Sequence, residues 1–245
     1  VVSVMWVNNE IGVVQPVEEV ARRCHDAGVP FHTDAVQAFG KLAVSVGSLP
    51  CSLVTFSGHK IGAPKGIGAL VVRTRGVVEA IIHGGGQQHG IRPGTENVAG
   101  AIALARAAQL AAKEQAGESD RLCQLRDELA TRLRVGVPDL VINGNGAPRA
   151  PHVLNVAVPG ADGEALLMHL DLAGVAASGG SACSTGSVEP SHVLTAIGMT
   201  RELALASIRF SLGRETTLVD IERAAAVFPG VVEKVRRLAS VLGRA

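Results

Sequence analysis

Short apolar runs separated by helical and turn-forming stretches occupy the first half of this chain, and the runs end in polar residues. The runs cover residues 1–7, 29–33 and 53–56, with a helix predicted near 17–27 between the first two. This order predicts an α/β domain with a mainly parallel sheet, because parallel neighbours need a crossover that is usually helical. Residues 67–72 predict a further strand, after a loop containing Gly62, Pro64 and Gly66. The Gly84-Gly85-Gly86 run opens a second loop that reaches Thr95, and an alanine-rich helix is predicted from about Asn97.

A shift in composition over residues 113–119 predicts a domain boundary, giving a first domain of 1–113 and a second of 114–245. Ser119 is a candidate N-cap for a helix whose leucines at 122, 125, 129 and 133 share one face. Beyond it the pattern predicts a strand at 152–158, a helix from Gly163 and a strand at 175–177. A loop around Cys183, a short helix near Ser191, a strand at 207–212 and a terminal helix follow. That mixed order predicts a smaller α+β domain. Residues 1–7 read as a buried strand with nothing ahead of them, so the chain is expected to begin inside a domain, leaving the first domain incomplete.

The 47% apolar and 18% charged content is that of a soluble globular protein, and no apolar run reaches the roughly 18 residues of a membrane span. No membrane partner is expected. The net charge of +1 comes from 23 basic and 22 acidic residues dispersed along the chain, and aromatic residues make up only 2%. Neither a basic stripe nor a stacking platform for nucleic acid results. Cys24, Cys51, Cys123 and Cys183 lack both CxxC pairing and disulfide-scaffold density, which points to a reducing cytoplasm. The histidines form no metal-ligand spacing, so no metal is expected.

In open parallel sheets ligands bind beyond the carboxyl ends of the strands. Three such ends are polar here: Asn8-Asn9-Glu10, Asp34 with Gln37, and Ser57 with His59 and Lys60. A lone lysine is most often a solvated surface residue. An amine near one strand end with a carboxylate on the neighbouring strand is, however, the arrangement pyridoxal phosphate requires: a Schiff-base lysine and an acid on the pyridine nitrogen. Asp34 has the competing reading of a helix N-cap ahead of residues 35–39, and Gln37 that of a helix-surface residue. Ser57 and His59 suit an anionic phosphate or ordinary turn chemistry. Cys183 lies in a small, polar stretch, a setting for a nucleophile, whereas Cys24, Cys51 and Cys123 read as buried structural residues. Arg209 interrupts an apolar strand, either as an outward side chain at a sheet edge or as a bidentate clamp for a carboxylate.

Taken in order, these segments resemble the cysteine desulfurases, the NifS-like group of the class V aminotransferases, which are fold-type I pyridoxal phosphate enzymes. The matching motifs are Val7-Asn8-Asn9-Glu10-Ile11-Gly12, His32-Thr33-Asp34-Ala35-Val36-Gln37, Ser57-Gly58-His59-Lys60 and Arg92-Pro93-Gly94-Thr95-Glu96-Asn97. Ser181-Ala182-Cys183, Glu189-Pro190-Ser191-His192-Val193-Leu194 and Ser207-Ile208-Arg209-Phe210-Ser211-Leu212-Gly213 continue the series. The resemblance implies Lys60 as the Schiff-base lysine, Asp34 on the pyridine nitrogen, Gln37 at the phenolic oxygen, and Ser57 and His59 on the phosphate. It implies a homodimer with Thr95 on the phosphate of the partner subunit's cofactor. Asn9 and Arg209 would hold the carboxylate of L-cysteine, and Cys183 would receive its sulfur for delivery to an acceptor protein in iron-sulfur or thiolation pathways. The family's upstream phosphate loop and ring-stacking histidine have no counterpart in the sequence. Rival readings are a selenocysteine lyase or cysteine sulfinate desulfinase of the same fold, or a noncatalytic fragment that binds a partner.

Overall fold

A computed structural model describes residues 1–74, 76–179 and 189–241. They divide into two compact units, one of residues 1–8 and 14–117, the other of residues 9–13 together with 118 onward.

The first unit is built on a four-stranded sheet. Strands β1 (Val2–Met5), β2 (Phe31–Asp34) and β3 (Leu53–Ser57) run parallel, and β4 (Gly68–Val72) pairs antiparallel with β3. Helix α1 (Val17–Asp26) makes the crossover from β1 and packs on β2. Its buried residues Val17, Ala21 and Cys24 recur at helical spacing. Glu18 and Glu19 in the first turn and Arg23 and His25 in the last complement the helix dipole. The chain leaves α1 through Gly28 at φ 67°, a left-handed conformation that favours glycine.

Alternation along β2 sends Phe31 and Thr33 to a buried face and His32 and Asp34 to the other. The register carries that second face to Thr55 and Ser57 on β3 and to Leu70 on β4, which is 43% exposed. Thr33 is fully buried, and its hydroxyl donates to the carbonyl of Val4 at 3.0 Å, so burial leaves no lone donor. The first strand departs from expectation: its pattern is exposed to half-buried rather than buried. Strand β2 starts two residues late because Pro30 has no N–H for the ladder, although its carbonyl accepts from Val2.

The alanine-rich helix α2 (Val98–Gly136) continues unbroken through residues 113–119, so Ser119 is a helix-interior residue and not an N-cap. The four predicted leucines, Leu122, Leu125, Leu129 and Leu133, are all buried in the second unit.

That unit holds an antiparallel sheet ordered β5 (Val141–Ile142), β6 (Val153–Ala157), β7 (Ser207–Ser211). Helices α3 (Gly163–Leu172), α4 (His192–Ala196), α5 (Arg201–Leu205) and α6 (Leu218–Val241) complete it. Asp162 caps α3 by accepting from Ala165 N at 2.8 Å. One face of the sheet, with Leu154, Val156, Ile208 and Phe210, packs with the α2 leucines, Leu166, Leu170 and Phe228 into one core. Residues 175–177 do not form the expected strand; next to them only Ser178 bridges to Arg209.

Candidate functional site

In the first unit the candidate residues Asp34, Gln37, Ser57, His59 and Lys60 collect at and just beyond the carboxyl ends of β2 and β3. Asp34 is the last residue of β2 and the register partner of Thr55, two residues before Ser57. Its Oδ1 accepts from the backbone N of Val36 at 2.8 Å, and Ala38 and Phe39 turn back onto the carbonyl of Ala35. Lys41 and Leu42 in turn bond back to the carbonyl of Ala38, so the segment is a run of turns and not the helix of the competing reading over 35–39, and it carries Gln37, half-buried, close behind Asp34. Phe39 stacks on Phe56 of β3, with ring centroids 4.6 Å apart, tying the turn to the neighbouring strand.

Beyond β3 the chain enters a 3₁₀ turn over Gly58–Ile61 that exposes His59 and Lys60. Glycine is required at its start: a Cβ on Gly58 would stand 2.9 Å from Ile67 Cγ2 and 3.0 Å from the Ile67 carbonyl oxygen. Gly62 ends the turn at φ 89°. Within it Ser57 Oγ and His59 Nδ1 lie 2.7 Å apart, a hydrogen bond that joins the two predicted phosphate ligands. On the same sheet face His32 spans three strands, with Nδ1 2.7 Å from Ser3 Oγ and Nε2 3.1 Å from Thr55 Oγ1. A carboxylate and a primary amine at neighbouring strand ends, with a hydroxyl–imidazole pair beside them, form a donor set suited to an anionic aldehyde. Thr95 is exposed on a separate loop, where Gly94 N donates to Gln87 Oε1 at 3.2 Å and Gln88 Nε2 to Glu96 Oε1 at 2.7 Å.

In the second unit residues 9–13 lie against the other face of the small sheet. Asn155 and Arg209 are cross-strand partners on that face. Asn155 Nδ2 donates to the Glu10 carbonyl at 3.0 Å, and Arg209 Nη1 to the Asn9 carbonyl at 2.8 Å. Gly12, at φ 72°, makes the close approach possible, since a Cβ there would meet Val153 Cβ at 2.9 Å. The Arg209 guanidinium is half-buried, and its Nε is buried without a hydrogen-bond partner among the described residues. Burial pulls its pKa down, and the negative charge of Glu10 works against that fall. A cation with an unsatisfied donor is equipped to receive an anion.

Cys183 lies outside the described residues. Of the other thiols, Cys24 and Cys51 are buried as expected, whereas Cys123 is half-buried. The sequence also left unassigned a buried bond between Ser191 Oγ and Glu10 Oε2, 2.5 Å long. The only trace of it in the sequence was the acid closing the polar Asn8-Asn9-Glu10 segment. Among the described residues no group of three His, Cys, Asp or Glu side chains could hold a metal, and no helix is long and apolar enough to cross a membrane.

The chain is 46% identical over 239 residues to a cysteine desulfurase of Gluconacetobacter diazotrophicus, covering 97% of this chain and 60% of the relative. It is 43% identical over 237 residues to the cysteine desulfurase IscS of Dictyoglomus turgidum, with the same two coverages. It thus spans about 60% of the length of the curated relatives it matches. Among solved structures, a NifS-like protein from Rickettsia africae superposes with a TM-score of 0.87 at 32% identity, over 94% of this chain and 61% of that one. The Aminotransferase class-V family model matches residues 1–224. By sequence and by fold, this chain belongs to the class-V aminotransferase family.

Proposed function

We propose that this chain carries the reacting groups of a pyridoxal-phosphate-dependent cysteine desulfurase, which converts L-cysteine to L-alanine and leaves the sulfur on Cys183. The observation that carries the proposal is the juxtaposition of Asp34, Ser57, His59 and Lys60 at two adjacent parallel strand ends. Similarity to proteins named cysteine desulfurase supports the choice of reaction. In this reading the first unit belongs to the cofactor domain and the second to the smaller domain that bears the cysteine.

The donor set fits the cofactor. Lys60 Nζ matches its aldehyde, Asp34 its pyridine nitrogen, Gln37 its phenolic oxygen, and the hydrogen-bonded Ser57 and His59 its phosphate. When bound, pyridoxal phosphate supplies an electron sink conjugated to the substrate α-carbon. Asp34 holds a proton on the ring nitrogen through its charge, and Lys60 Nζ takes the proton from the substrate Cα. Arg209, with Asn9, orients the substrate by its carboxylate, engaging the Nε that has no hydrogen-bond partner among the described residues. Cys183 Sγ, as thiolate, attacks the substrate sulfur, the substrate C–S bond breaks, and the carbon keeps the electron pair and gains a proton. L-cysteine and one enzyme thiol thereby become L-alanine and one enzyme persulfide. A reducing cytoplasm keeps that thiol free, and a sulfur-acceptor protein of an iron-sulfur or thiolation pathway then discharges it.

The protein acts as a homodimer in which Thr95 reaches the phosphate in the partner subunit. Ile81, 90% exposed, with Val98 and Ile102 at 61% and 66%, supports an interface near that loop. Borohydride reduction of the cofactor-loaded protein tests the cofactor assignment: a pyridoxyl group on the Lys60 peptide is expected, and its appearance on another lysine overturns it.

A further inference from the structure

Glu10 is 3% exposed, and it borders a small apolar cluster of Ile11, Leu194 and Ala204. A carboxylate in such a place needs partners. Ser191 Oγ donates to it, and the same oxygen accepts from Val193 N at 3.1 Å and Leu194 N at 3.3 Å, capping α4. The hydroxyl's single proton is therefore committed to Glu10. Within the same segment, the Asn9 carbonyl holds Arg209 Nη1 and the Glu10 carbonyl holds Asn155, the cross-strand partner of Arg209. Glu10 acts on Arg209 through its field, opposing the effect of burial. Among the described residues, the Arg209 side chain donates to a backbone carbonyl.

We propose that Glu10 is a positioning residue for the Arg209 clamp: it supplies the negative charge beside a half-buried guanidinium, while Ser191 holds that charge off the guanidinium fork. The fork is left for the carboxylate of an amino acid. Without Glu10 the clamp grips that carboxylate harder, and without the Ser191 hydroxyl the Glu10 carboxylate turns to the fork and competes with substrate. This assignment rests on the desulfurase reading only for the identity of the amino acid.

The test uses Glu10→Gln, Ser191→Ala, their double variant and Ser191→Thr in the cofactor-loaded protein. Ser191→Ala raises KM for L-cysteine by roughly tenfold, the scale of a contested charge-assisted bond, with the change falling on KM rather than kcat. Glu10→Gln lowers KM, the double variant reverses the Ser191→Ala defect, and Ser191→Thr restores the parent value. Labelling of Arg209 by phenylglyoxal, mapped by peptide mass, gives a second readout that needs no turnover: it slows in Ser191→Ala and recovers in the double variant. If the desulfurase reading fails, KM is lost but the order of labelling rates still decides. Equal loss in both single variants, with a double variant worse than either, overturns the proposal and leaves Glu10 a packing residue.

Discussion

Asp34, the last residue of β2, is the register partner of Thr55 on the parallel strand β3, which ends two residues later at Ser57 and leads into the turn bearing Lys60. Lys60→Ala is expected to abolish borohydride-trapped cofactor on its peptide and to lower turnover by about a thousandfold or more, the scale of a lost general base. Asp34→Asn keeps the turn acceptor for Val36 N while removing the charge, and is expected to bind cofactor but lose most turnover. Absorbance of bound cofactor and alanine production, measured on the same samples, separate the two effects.

The segment 9–13 depends on Gly12. Gly12→Ala meets both a left-handed backbone and a Cβ contact of 2.9 Å with Val153, and is expected to destabilise by about 1–3 kcal/mol. Gly28→Ala, at φ 67° with open space around it, is expected to cost about 1 kcal/mol from backbone strain alone. Urea midpoints of the two variants give the difference.

Asn155 is fully buried, accepts from Asn143 Nδ2 at 2.7 Å and donates to the Glu10 carbonyl at 3.0 Å. Asn155→Ala removes both bonds, leaving Asn143 Nδ2 with its bond to Ser207 Oγ at 3.2 Å, and is expected to cost about 1–3 kcal/mol in denaturant unfolding. It also releases the strip that positions Arg209, so KM for substrate rises with it.

Asp220 accepts from both the N–H and the hydroxyl of Thr217, at 2.8 and 2.7 Å, and these bonds hold its pKa below the usual carboxylate value. A depressed folded-state pKa contributes stability above the unfolded value near 3.9, and that contribution is lost as pH falls through the folded value. Asp220→Asn is therefore expected to lower the urea midpoint at pH 6, with the gap to the parent protein narrowing as pH falls below the unfolded value.

Much of the second unit was legible because period-two alternation in residues 207–212 and helical spacing of the α2 leucines each force one buried face. Residues 175–177 misled because a small apolar run resembles a strand, while the following glycines offer nothing to pack against a neighbour. Strand β5, at two residues, is too short to show a period. Ser119 misled because a polar tract of good helix formers looks like a break in composition, yet nothing in it stops a helix. That Asp34 and the segment Ser57-Gly58-His59-Lys60 stand at the ends of neighbouring strands was readable from local order. The Glu10–Ser191 bond was not, since its partners lie 181 residues apart and neither motif names the other.

The central claim is that sulfur from L-cysteine comes to rest on Cys183. The direct measurement is peptide mass spectrometry of the cofactor-loaded protein after one turnover with sulfur-labelled L-cysteine, with alanine quantified in parallel. The expected result is one labelled sulfur on the Cys183 peptide per alanine formed, absent in Cys183→Ser. Alanine formed with the label on another cysteine, or labelled sulfide released undiminished by Cys183→Ser, would contradict it.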